Sequence, residues 1–274
     1  DEKSSYVTFR VFDLKTEAFA SGHQASNTLP PGTSWEWDVT PDGGLLAVSS
    51  VEIQGSDPSN VVNIYDLKTG QRVNQLRLAT HCSVHLSRDG KYISCFSEAG
   101  GAVYTLPGLE RIGEFKEYFR ERYRGLNSAF AGNRVALPIG MQNRIRLWDL
   151  ESRRDVAMLD EPESTDPVAF TPDGNSLLTF GERHARLYRL TTPERLDAPA
   201  HAAAVHATAF SPDGGHLASA GMNRAVRVSD ARTGKVIWQT EELHGLYQCV
   251  AYSPDGKWLA VGDFDADSVW LLDA

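Results

Sequence analysis

The chain has 274 residues, 41% of them hydrophobic, and a formal net charge of −9 from 36 acidic and 27 basic side chains. That length can hold one large domain, and the acidic balance argues against a general nucleic-acid surface, which needs cations to displace phosphate counterions. No stretch approaches the roughly 20 apolar residues of a membrane helix, and no secretory leader opens the sequence. It begins with Asp1 rather than Met, so it reads as a processed or excised piece of a longer protein.

Taken in order, the elements are short strands with turn residues between them. Tyr6–Leu14 and Glu17–Ala20 read as the last two strands of a four-strand unit without its first half, and Gly22–Ser34 is a Pro- and Gly-containing connection. The first full unit is Trp35–Thr40, Leu45–Ser49, Val61–Leu67 and Arg72–Leu76, with an expanded loop over Val51–Asn60. The second is Cys82–Leu86, Tyr92–Phe96, Ala102–Leu106 and Arg111–Phe115, and the third Leu126–Phe130, Val135–Pro138, Ile145–Leu150 and Val156–Leu159. The fourth is Pro167–Phe170, Leu177–Phe180, Ala185–Leu190 and a weak outer strand near Arg195. The fifth is Val205–Phe210, Leu217–Ala220, Ala225–Ser229 and Lys235–Gln239, and three strands (Tyr247–Tyr252, Trp258–Val261, Ser268–Leu272) end the chain.

The turn between first and second strands repeats almost letter for letter. It reads Thr40-Pro41-Asp42-Gly43, Ser87-Arg88-Asp89-Gly90, Thr171-Pro172-Asp173-Gly174, Ser211-Pro212-Asp213-Gly214 and Ser253-Pro254-Asp255-Gly256, with a shorter copy at Phe130-Ala131-Gly132-Asn133. Pro pre-sets φ, Asp bonds its own backbone and Gly takes the left-handed conformation that closes the reversal. Successive copies lie 40 to 47 residues apart, the period of four-stranded propeller blades. The third strands repeat as well: Ile64-Tyr65-Asp66-Leu67-Lys68-Thr69-Gly70, Leu147-Trp148-Asp149-Leu150, Leu187-Tyr188-Arg189-Leu190 and Val228-Ser229-Asp230-Ala231-Arg232-Thr233-Gly234.

These motifs resemble the WD-repeat family of β-propellers, whose third strand ends in Trp-Asp before a Thr-Gly turn. The resemblance covers essentially the whole chain, although Trp148-Asp149 is the single literal Trp-Asp pair. It implies an all-β domain over residues 1–274: a propeller of four-stranded antiparallel blades, six favoured over seven, closed by strands from both termini. The family's buried hydrogen-bond set would fall on His23, His201 and Ser219; its Asp is mostly absent, and Asn223 stands in that place in the fifth repeat.

Candidate sites are few. Between the second and third units, Lys116–Gly125 alternates Tyr118, Phe119 and Tyr123 with Arg120, Arg122 and Arg124, the residue types that dominate protein interfaces; the same aromatics could instead cover the propeller. Alignment on the turns brings Trp35, Cys82, Leu126, Asp166, His206 and Gln248 to one mouth of the central channel, with Arg183 and Arg224 beside it. Asp263, Asp265 and Asp267 alternate as calcium loops do, but lack the following Gly or Glu, so a solvated acidic turn is preferred and no cofactor is expected. His81 and His85 would stand about 13 Å apart along a strand, too far to share an ion. Of the cysteines, Cys82 and Cys95 fall on adjacent strands of one hairpin, where a disulfide is conceivable; with Cys249 left over, buried free thiols in a reducing, cytoplasmic setting are preferred.

No nucleophile, phosphate-loop or metalloprotease motif appears. The family resemblance implies a non-enzymatic scaffold that binds a protein or peptide in a regulatory or signalling protein, without nucleic acid or membrane insertion. A channel-site enzyme or small-ligand sensor of the six-bladed type is the alternative, resting on Asp166, His206 and His244 alone. Self-assembly through the end strands is a third.

Overall fold

Five of the repeated turns close with one set of hydrogen bonds. In each, the Ser or Thr hydroxyl donates to the Asp carboxylate: Thr40 to Asp42 at 2.6 Å, Ser87 to Asp89 at 2.7 Å, Thr171 to Asp173 at 2.6 Å, Ser211 to Asp213 at 2.5 Å and Ser253 to Asp255 at 2.6 Å. The same hydroxyl oxygen accepts the N–H that starts the next strand, at 2.8 to 3.0 Å from Leu45, Tyr92, Ser176, His216 and Trp258. The glycines that finish these turns have φ between +65° and +73°, a conformation a side chain would strain. The turn aspartates are therefore structural.

These bonds have a pH signature. The carboxyls of Asp42, Asp173, Asp213 and Asp255 are held below the usual carboxylate range, chiefly by the hydroxyl of Thr40, Thr171, Ser211 and Ser253 respectively. A carboxyl whose folded pKa is depressed contributes stability above its unfolded value, about 3.9, and that stability is lost as pH falls through the folded pKa. The melting temperature should therefore change little from carboxylate titration between pH 7 and 5 and fall below about pH 4. Ser211→Ala should blunt that fall, and an unchanged melting temperature down to pH 2 would contradict this account.

The computed structural model describes residues 12–13, 18–19, 36–40, 42–54, 57–80, 82–97, 100–116, 128–139, 143–161, 168–180, 184–191, 195–199, 205–221, 224–240, 247–263 and 268–274. The chain divides into two compact units, Asp1–Leu126 and Asn127–Ala274. In the first, β1 (Phe12–Asp13) pairs with β2 (Ala18–Phe19). Two four-stranded antiparallel meanders follow: β3 (Glu36–Val39), β4 (Leu45–Gln54), β5 (Asp57–Asp66) and β6 (Arg72–Leu78), then β7 (Ser83–Leu86), β8 (Tyr92–Ser97), β9 (Gly100–Thr105) and β10 (Arg111–Phe115).

The second unit holds β11 (Ala129–Ala131) to β14 (Arg154–Asp160), with β12 at Arg134–Ile139 and β13 at Arg144–Asp149. Next come β15 (Val168–Phe170), β16 (Ser176–Phe180), β17 (His184–Arg189) and β18 (Arg195–Pro199), then β19 (Val205–Phe210), β20 (His216–Gly221), β21 (Val226–Asp230) and β22 (Val236–Gln239). A three-stranded sheet of β23 (Tyr247–Tyr252), β24 (Trp258–Asp263) and β25 (Ser268–Asp273) ends the chain.

Within each unit the sheets bury their faces on one another. Ala47, Val62 and Ile64 of the first meander pack with Val84, Ile93 and Cys95 of the second. In the second unit Ala136, Ile145 and Leu147 pack with Phe170 and Leu177, and Ala218, Val226 and Val228 with Val250, Leu259 and Val261. First strands of successive sheets lie side by side: β3 with β7, β11 with β15, β19 with β23.

Two expectations are corrected. Cys249, read with the other cysteines as a buried thiol, is exposed. Within Val51–Asn60, read as an expanded loop, residues 51–54 and 57–60 are instead the outer stem of a hairpin, with Val51 opposite Asn60, Ile53 opposite Pro58 and Gln54 opposite Asp57. Proline is tolerated there because the stem outruns β6, which reaches only to Asn60, so no third strand asks Pro58 for an N–H.

Candidate functional site

In each unit the first strands and the loops between second and third strands are the candidate recognition elements. Asp38 on β3 ties two first strands together: its carboxylate accepts the N–H of Leu86 on β7 at 2.7 Å and that of its neighbour Val39 at 2.8 Å. Between β20 and β21, Gly221 accepts from the N–H of Arg224 at 3.2 Å and donates to the carbonyl of Ala225 at 3.3 Å. Arg224 is exposed and sits at φ +59°, in the left-handed region. Asn143, at φ +48°, fills the matching position before β13. Asn takes this conformation readily, whereas for Arg it costs on the order of 1–3 kcal/mol.

Of the residues that the sequence placed at the partner site or channel mouth, Arg224 and the buried Cys82 are those whose side-chain environment is described, and Leu126 lies outside the described residues. His206 lies in β19 and Gln248 in β23, each at a register shift against the second strand of its sheet. Tyr118, Phe119, Arg120, Arg122, Tyr123, Trp35, Asp166 and Arg183 lie outside the described residues, as do His23, His201 and Asn223. Asp263 closes β24 opposite Ser268, while Asp265 and Asp267 lie outside the described residues. No group of three metal-ligating side chains occurs among the described residues.

The third-strand turns are built alike. Asp66 accepts from the N–H groups of Lys68 and Thr69 at 2.9 and 2.8 Å, and Asp230 from those of Arg232 and Thr233 at 3.0 and 2.7 Å. In the literal Trp-Asp pair, Trp148 is buried while Asp149 accepts from the Ser152 N–H and the Asn133 amide, both at 2.7 Å.

A buried polar cluster in the second unit was not foreseen. Glu161, just after β14, pairs with Arg186 of β17 at 2.7 Å and accepts from the Thr179 hydroxyl of β16 at 2.8 Å. Both charged side chains are enclosed, Glu161 at 3% and Arg186 at 9% exposure. Burial, with the Glu161 carboxylate next, pushes the Tyr188 hydroxyl up to about 12. Glu161 stands ten residues before Thr171, and His201 ten before Ser211; Thr179 and Ser219 each follow their turn residue by eight. A carboxylate thus occupies in the fourth sheet the place of the fifth repeat's histidine, and an arginine answers it. That common offset was the available signal.

The WD40 family model (WD domain, G-beta repeat) matches residues 195–230 and 242–268. The chain is 24% identical over 233 residues to Protein groucho of Drosophila melanogaster, covering 83% of this chain and 30% of that protein. It is 30% identical over 135 residues to WD repeat-containing protein SL1-17 of Schistosoma mansoni, covering 48% and 44%, and 26% identical over 122 residues to the serine-threonine kinase receptor-associated protein of Gallus gallus, covering 44% and 35%. The chain therefore spans less than half the length of these relatives. A chain in the crystal structure of the mitotic checkpoint complex superposes with a TM-score of 0.72 at 16% identity, over 87% of this chain and 75% of its own length, which shows the propeller fold.

Proposed function

This chain belongs to the WD-repeat family of β-propellers, and on that footing we propose that it is a non-enzymatic recognition module that binds a protein or peptide within a regulatory or signalling protein. The observation that carries the reading is the contrast between invariant and variable parts. Turn after turn is locked by the same hydroxyl–carboxylate bonds, while the loops between second and third strands share no chemical code. A stiff frame with dissimilar loops presents binding side chains at little entropic cost. Relatives named for kinase receptors and a structure titled for a checkpoint complex support protein partners as the ligand class. The buried, unpaired Cys82 and Cys95 support a reducing, cytoplasmic setting.

Two sites are proposed for the partner: the Tyr118–Phe119–Tyr123 segment and the region around Arg224. Replacing the three aromatics with Ser should leave the β-rich circular dichroism unchanged and remove a partner captured by the wild-type chain. Loss of folding would instead assign the segment a structural role. Arg224→Asn keeps the left-handed backbone, so stability should hold or rise slightly, while binding should weaken by about 2 kcal/mol if Arg224 anchors the partner. Equal affinity by calorimetry would remove Arg224 from the interface.

A further inference from the structure

We infer that Cys82 and Cys95 form a two-sulfur site for a soft monovalent cation of the copper(I) class. Cys95 on β8 lies opposite Val84 of β7, and Cys82 precedes Val84 by two residues, so the pleat returns it toward the same face. Both are free thiols, 4% and 3% exposed, in one buried cluster. As diagonal neighbours across the hairpin the two side chains are within reach of one another, so one ion with metal–sulfur bonds of about 2.3 Å can join them.

The surroundings fit that class of ion. Both cysteines line a cavity of about 320 Å³ that also takes in Thr80, Arg111, Glu114 and Lys116, so a small ion has room beside them. No third His, Cys, Asp or Glu joins the pair among the described residues, and four-coordinate zinc or an iron–sulfur cluster would need more ligands. Two thiolates alone suit a soft ion that accepts low coordination. On binding, two S–H bonds break, two sulfur–copper bonds form, two protons leave and no electron moves. The resulting bis-thiolate complex carries one negative charge, and Arg111, Lys116 and Glu114 together supply one positive charge in the same cavity.

The test uses the full chain with the exposed Cys249→Ser replacement, reduced and kept anaerobic, titrated with copper(I) against the chelator bicinchoninate. The expected result is one copper per chain, with two sulfur neighbours in X-ray absorption. Cys82→Ser or Cys95→Ser should lower affinity more than about 100-fold, beyond what changes outside the ligand set cost. Failure to take copper from the chelator, equal retention by Cys95→Ser, or nitrogen and oxygen neighbours alone would overturn the assignment. Should a serine variant unfold, the Cys249→Ser parent decides: its melting temperature must rise with added copper(I), and no rise overturns the proposal.

Discussion

Replacing Arg186 with Met is expected to destabilise the protein by about 3–5 kcal/mol, because it strands the Glu161 carboxylate in a site from which water is excluded. The cluster spans two sheets of the second unit: Glu161 follows the last strand of one, while Thr179 and Arg186 sit on the second and third strands of the next. Glu161→Gln should cost less, since the amide carbonyl can still accept from both Thr179 and Arg186. Replacing both partners together with apolar residues of similar volume should recover most of the loss, as buried ion pairs repay their desolvation poorly. Urea unfolding of the parent and the three variants measures these differences. Tyr188 gives an independent readout: without the Glu161 charge its titration should move down from about 12, with the part due to burial remaining. An Arg186→Met variant as stable as the parent would show that the pair does not brace the sheet.

Much of this fold is legible because its decisive chemistry is local. A hydroxyl residue, two positions later an aspartate, then a glycine closes the turn whatever surrounds it, so the first-to-second-strand reversals and their period could be read directly. What escaped reading depends on the third dimension. Gly55, Ser56, Asp57 and Pro58 have loop composition, yet Asp57 and Pro58 pair across a stem that no third strand borders, where proline's missing donor costs nothing. Glu161 looks like a surface acid until its distance from Thr171 is set beside that of His201 from Ser211. Arg224 is an unfavoured residue for a left-handed position, and only Asn143 in the matching loop betrays the conformation. Partner-binding residues follow a partner's surface and not the repeat that carries them, so the turn pattern that reveals the blades does not mark an interface.

Gly101→Ala should be nearly as damaging as the loss of Arg186, at about 3 kcal/mol or more. Gly101 faces Phe96 across β8 and β9, and an added methyl group would stand 2.5 Å from the Cys95 carbonyl oxygen and closer still to the Phe96 ring. Neither neighbour can yield cheaply. The carbonyl belongs to the β-ladder, and Phe96 is 2% exposed with its ring against Phe115 at 5.8 Å between centroids. Overpacking of this kind ordinarily costs about 1–3 kcal/mol, and here backbone must shift as well as a side chain. Gly108→Ala supplies the contrast: nothing lies within 4 Å of its added Cβ, so the change should stay within about 0.5 kcal/mol. Because Gly101 also lines the cavity beside Cys95, its alanine variant should lose copper(I) uptake along with stability, whereas Gly108→Ala should keep both. Equal stability of the two variants would mean that β8 and β9 are spaced more loosely than the Phe96–Gly101 pairing implies.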